Sequence, residues 1–136
     1  MKFLAFLLTA LGTTLPLLGQ EPAPPEIEEA KPLKADPARD LFDYATLNYN
    51  DAQKEKDPKK RGRAYRSAAK SLDKFIRAFP KNEKTLDAWY FLGMCYRQIG
   101  EEKASRTCFE AAATNWESGK FVEASALYLA SDDYKN

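Results

Sequence analysis

Trp89-Tyr90-Phe91-Leu92-Gly93-Met94-Cys95-Tyr96, with Ala104 eight residues further on, is the stretch on which the fold turns. Trp89, Leu92, Gly93 and Tyr96 recur at steps of three, one and three, which gathers them on one face of an α-helix. Gly93 leaves that face without a side chain at the point where a neighbouring helix must come close. Gly100 then ends the helix, as glycine commonly does just past the last turn. Ala104 therefore belongs to a second helix that folds back on the first.

Working outward, the remainder reads as helix with short breaks. Asp36-Pro37 and Asp57-Pro58 each supply an acidic N-cap followed by proline at the first helical position. They predict helices from Pro37 to about Lys54 and from Pro58 to about Phe79. Pro80-Lys81-Asn82 breaks the chain, with Asn82 the expected cap of a helix from Glu83 to Ile99. A fourth helix is expected over 101–117 and, after Ser118-Gly119, a fifth from Lys120 to about Asp133. No apolar–polar alternation is sustained, so strands are not expected. The expected class is all-α, with about five helices.

Part of the chain repeats itself. Phe42-Asp43-Tyr44-Ala45-Thr46-Leu47-Asn48-Tyr49 matches the opening stretch in its aromatic, its two small or apolar residues and its final tyrosine. Ala68-x3-Leu72-x2-Phe75 parallels Ala104-x3-Cys108-x2-Ala111 in the following helices, and Ala124-x3-Tyr128-x2-Ser131 echoes them weakly. Together these residues resemble the tetratricopeptide repeat. The wording from Ala68 through Phe79-Pro80 to Trp89, Leu92 and Gly93 is similar to the exported bacterial subgroup found in outer-membrane assembly lipoproteins and in the coordinator of the Tol–Pal system. The resemblance implies a short α-solenoid of antiparallel helix pairs over residues 38–134. It implies that Trp89, Leu92, Gly93, Tyr96 and Ala104 are core, and that the first helix of each pair lines a concave groove for a peptide or helix of another protein. By that resemblance Tyr90, Met94, Arg97 and Gln98 face the groove from the third helix, and Asp43, Leu47 and Asn50 from the first. The spacing from Phe42 to Trp89 is 47 residues, against about 34 in the family. Cys108 stands where an aromatic is usual, with Phe109 displaced by one.

Only about two repeats and a closing helix fit, whereas such stacks commonly need three units to bury their faces. Either the fifth helix caps the stack through Phe121, Ala124, Leu127 and Tyr128, or the open end pairs with another chain as a self-assembling subunit.

The N-terminus carries a different signal. Residues 1–19 combine Lys2, an apolar run from Phe3 to Leu18 and no acid, the layout of a secretory signal peptide. Gly12-Thr13-Thr14 and Pro16 interrupt the run, which falls short of the roughly 20 apolar residues that span a bilayer; an uncleaved anchor is the competing reading. Gln20 occupies the position where a lipoprotein would need cysteine. Residues 20–37, rich in Pro and Glu, are expected to form a disordered tether. Export is therefore expected, and with the resemblance above it implies the periplasm or envelope of a bacterium.

Candidates for chemistry are few. The sequence holds no histidine, which excludes imidazole bases and most zinc sites. Cys95 and Cys108 lack metal or redox spacing; a disulfide and a pair of small core residues both remain open. The acid pairs fall at helix ends or in the tether, and the glycines are scattered. No enzyme, cofactor or metal is expected. Without residues 1–19 the cations balance the 20 acids, so overall charge points to neither nucleic acid nor a membrane surface. One cluster departs from that balance. Lys59, Lys60, Arg61, Arg63 and Arg66, within the basic segment 54–70, offer an alternative role in contacting an anionic lipid surface or polyanion. The leading expectation is a non-catalytic protein–protein interaction module.

Overall fold

Two aspartates begin the helical unit as their neighbours dictate. Asp36 accepts a hydrogen bond from the Arg39 N–H at 3.1 Å, and Asp57 accepts one from Lys60 at 2.8 Å. Each thereby satisfies one of the N–H groups that a helix start leaves unpaired. The structure is a computed structural model that describes residues 34–133. The expected signal segment, and the tether as far as residue 33, lie outside the described residues. Among these residues every regular element is a helix: α1 (Pro37–Lys54), α2 (Pro58–Ala78), α3 (Thr85–Gln98), α4 (Glu102–Thr114) and α5 (Lys120–Asp133).

Three of the five match their expected bounds to within a residue; α3 and α4 differ. Asn82 does not cap α3 directly. Its side chain accepts from the Lys84 N–H at 2.9 Å and its carbonyl from Thr85 at 3.0 Å, forming a turn that delays the helix. Thr85 is buried and its hydroxyl donates to the Phe79 carbonyl at 2.6 Å, tying the start of α3 to the end of α2. At the other end Gly100 has φ +80°, and the Glu101 N–H bonds back to the Tyr96 carbonyl at 2.9 Å. A side chain is strained in that conformation, which is why glycine ends this helix. α4 stops three residues early, and Trp116 beyond it lines a cleft with Ile76, Pro80 and Trp89.

Neighbouring helices pack along the chain order, with the ring contacts giving their directions. Phe42 meets Phe75 at 5.3 Å and Tyr49 meets Tyr65 at 6.0 Å, so α1 and α2 are antiparallel. In α3 and α4, Tyr90 meets Phe109 and Gly93 meets Ser105, again antiparallel. α5 returns along α4, with Phe109 stacked on Tyr128 at 4.9 Å and Arg106 paired with Asp133 at 2.7 Å. It therefore runs parallel to α3.

α2 shows which force forms these helices. Its inner face, Tyr65, Ala68, Ala69, Leu72, Phe75 and Ile76, is buried. Its outer face carries like charges one turn apart, each such pair costing a few tenths of a kcal/mol. Burying Leu72 and Phe75 completely contributes roughly 1.5–3 kcal/mol apiece, so packing prevails over repulsion.

The expected core needs correction in three places. Leu92 and Gly93 are buried, and Trp89 and Tyr96 pack against the core while half-buried, but Ala104 is half-buried and outside the core cluster. In α4 Cys108 is inward as expected, but Ser105, Phe109 and Ala112 join it, with Ser105 and Ala112 one step beyond the expected Ala104 and Ala111. Ser105 takes the place foreseen for Ala104 because its hydroxyl donates to the Gly93 carbonyl at 2.9 Å. In α5 Leu127 is 72% exposed and Ser125 is buried instead.

A Cβ on Gly93 would lie 2.8 Å from Cε1 of Phe109, a ring with no exposed surface. Gly93→Ala is therefore expected to cost about 1–3 kcal/mol, read as a lower urea midpoint, and Gly93→Leu to leave the unit unfolded. A cooperatively folded Gly93→Leu protein would refute this packing.

Candidate interaction site

The residues expected to line a groove separate into two groups. On α3, Tyr90 is half-buried among rings: 4.6 Å from Phe121, 5.6 Å from Phe91, 5.9 Å from Phe109 and 6.3 Å from Tyr128. Arg97 pairs with Asp132 at 3.2 Å and lies 4.9 Å from the centre of the Tyr128 ring. Met94 is half-buried against the core, and Gln98 is exposed. α5 thus lies over Tyr90 and Arg97, and neither presents an open groove surface. On α1, Asp43, Leu47 and Asn50 are exposed, with Leu47 at 55% and the adjacent Tyr44 at 57%.

α5 is held there chiefly by rings. Aromatic pairs at these separations contribute about 0.5–1.5 kcal/mol each beyond their buried area. The Arg97–Asp132 pair, with both side chains about one-third exposed, adds at most about 1 kcal/mol in that solvent-screened setting. Phe91 joins the two halves, meeting Tyr49 of α1 at 5.1 Å and Phe121 of α5 at 5.4 Å. Neither Phe91 nor Tyr44 stood out in the sequence. A signal for α5 was present: Phe121-x2-Ala124-Ser125-x2-Tyr128 repeats the aromatic, two small residues and tyrosine found at Phe42 and, with Leu92 and Gly93 as its middle pair, at Trp89. The Ser125 hydroxyl is buried without a hydrogen-bond partner among the described residues, so the position is occupied for its size.

The basic residues Lys59, Lys60, Arg61, Arg63 and Arg66 are all exposed on α2. A cleft of about 520 Å³ beside Arg97, Lys103 and Arg106 is different in character. Two of its three cations are already paired: Arg97 with Asp132, and Arg106 with Glu110 and Asp133.

Cys95 and Cys108 are free thiols buried in the core. Burial pushes both up to about 12, with the neighbouring thiol adding to the effect at Cys95 and Asp73 at Cys108. They are packing residues held protonated, the opposite of what a nucleophilic thiolate requires. Burial also raises the Asp87 carboxyl, against the opposing pull of Lys84 and Lys120. Among the described residues no group of three or more His, Cys, Asp or Glu could hold a metal ion, and no helix is long and apolar enough to cross a membrane.

Two measurements check this arrangement. Tyr90→Ala is expected to cost about 2–4 kcal/mol and to abolish amide-exchange protection in α5 while sparing α1 and α2. Unchanged α5 protection would disprove the ring cluster's role. For the thiols, the folded state keeps protons that the unfolded state gives up once pH exceeds the ordinary thiol value of 9.0. Their contribution to stability is therefore complete below pH 9.0 and is lost as pH rises toward about 12, by up to about 1.4 kcal/mol per pH unit per thiol. Urea midpoints should fall between about pH 8 and about pH 10, and fall less in Cys95→Ala.

Comparison with protein-family models, with curated proteins and with solved structures finds no match to this chain.

Proposed function

We propose that this chain is a non-catalytic interaction module of tetratricopeptide type, exported to a bacterial cell envelope, that receives a peptide or helix of another protein along α1. The repeat reading draws support from α1/α2 and α3/α4 as antiparallel pairs joined by short turns. It draws further support from the Gly93–Phe109 approach and from α5 lying parallel to α3, as the first member of a third unit would.

The observation that carries the binding assignment is the contrast between α1 and α3. Tyr90 and Arg97 are engaged within the unit, while the corresponding α1 residues Asp43, Leu47 and Asn50 share one exposed face beside Tyr44. Large apolar side chains at more than half exposure are the type that covers area at interfaces. Asp40, Asp43 and Asp51, all exposed on the same helix, select a ligand with an apolar side chain flanked by basic ones.

A second reading, self-association, is favoured by Leu127 at 72% exposure on the terminal helix α5. Concentration-dependent mass that Leu127→Asp abolishes would move the assignment to that surface.

A photoreactive residue at Asn50, placed in the native cell, tests the leading reading. The captured partner should be lost with Leu47→Asp, by about tenfold or more for a centrally placed apolar anchor, with helical content unchanged. Capture that is indifferent to Leu47→Asp would remove α1 from the binding site.

A further inference from the structure

The basic residues of α2 form a line along the helix. At 100° per residue, Lys59, Arg63, Arg66, Lys70, Lys74 and Arg77 fall within about 80° of arc, over a length of about 27 Å. All six are exposed, and the buried face of Ala68, Leu72 and Phe75 lies on the opposite side of the same helix. One acid, Asp73, stands on α2, and it pairs with Arg77 at 2.8 Å. Among the described residues the other five have no carboxylate within ion-pair distance. The two acids nearest the start of the line, Glu55 and Asp57, accept hydrogen bonds from the backbone N–H groups of Asp57 and Lys60 and fix the turn.

The charge is therefore arrayed on a rigid rod that cannot fold back to neutralise itself. Five like charges held about one helical turn apart repel, and the packing of the opposite face sustains them. No exposed aromatic lies on this helix, since Tyr65 is buried. The line thus lacks the stacking platforms that single-stranded nucleic acids use. It also lacks exposed large apolar side chains of the kind that drive a helix into a bilayer. Cations alone, in a straight row on a convex helix, fit a flat surface of anionic headgroups.

We propose that the outer face of α2 is a membrane-surface contact, adsorbing to anionic lipid headgroups through Lys59, Arg63, Arg66, Lys70 and Lys74 without insertion. This surface is separate from the α1 face assigned to protein binding, and it stands whether or not that assignment does.

The test is co-sedimentation of the full chain with phosphatidylcholine vesicles and with vesicles doped with phosphatidylglycerol. Binding to pure phosphatidylcholine measures the contribution of the apolar segment Phe3 to Leu18. The added affinity for the doped vesicles should fall about 100-fold in the triple variant Lys59→Gln, Arg63→Gln, Arg66→Gln, at about fivefold for each charge removed. It should also weaken steeply with salt. A control triple of equal charge loss elsewhere, Arg39→Gln, Lys84→Gln, Lys103→Gln, should retain most of it. Equal losses in the two triples would overturn the proposal, because net charge would then suffice. So would a doped-vesicle affinity no greater than that for phosphatidylcholine. Tighter binding to soluble polyphosphate than to doped vesicles would assign the line to a linear polyanion and overturn the membrane contact.

Discussion

The missing side chain at Gly93 is the constraint from which the C-terminal half of the unit is built. Because nothing projects there, the Phe109 ring occupies the space, and the Ser105 hydroxyl can reach the Gly93 carbonyl. Phe109 then offers a flat face on which Tyr128 stacks nearly parallel, at an interplanar angle of 9°. Tyr128, with Phe121, closes over Tyr90. One absent Cβ thus fixes the α3–α4 approach and, through two layers of rings, the seat of α5. Interiors at crystal-like density propagate displacement in this way, since no slack absorbs it.

What could be read from the sequence was local. Asp36-Pro37, Asp57-Pro58 and Gly100 each carry their capping chemistry within a few residues, and the helix ends they mark fall within a residue of expectation. The start of α3 departs from expectation because Asn82 makes a turn of its own before the helix begins, an outcome governed by the part-buried bond from Thr85 to Phe79. The frame of α4 slipped by one because Ala104 and Ser105 are both small. A hydrogen bond across to α3 decides between them, and periodicity within α4 carries no trace of it.

The candidate site was less legible for the same reason. Tyr90 and Arg97 have the residue types and spacing of exposed recognition residues, and on an isolated α3 they would be exposed. What covers them comes from residues 121–132, whose spacing fits the second helix of a pair through Ala124, Tyr128 and Ser131 as well as the first through Phe121, Ser125 and Tyr128. Direction was the missing information, since a helix parallel to α3 and one antiparallel to it present different residues to Tyr90. Among the described residues no such covering helix lies over Asp43, Leu47 and Asn50 on α1, and those positions are exposed.

The cations gathered on α2 have a consequence for the described unit. With a net charge of +1 and an isoelectric point near 7.7, the chain looks electrically unremarkable in bulk. Yet eight of its lysines and arginines share one helix with a single acid, and the rest of the described unit is net acidic. The described unit, residues 34–133, is therefore an electric dipole with α2 at its positive side. A dipole of this kind turns in the field of a charged surface before contact, so that α2 leads the approach to an anionic surface and trails in the approach to a cationic one. Even where its net charge vanishes, such a molecule is held by cation exchangers and anion exchangers alike, each gripping a different side.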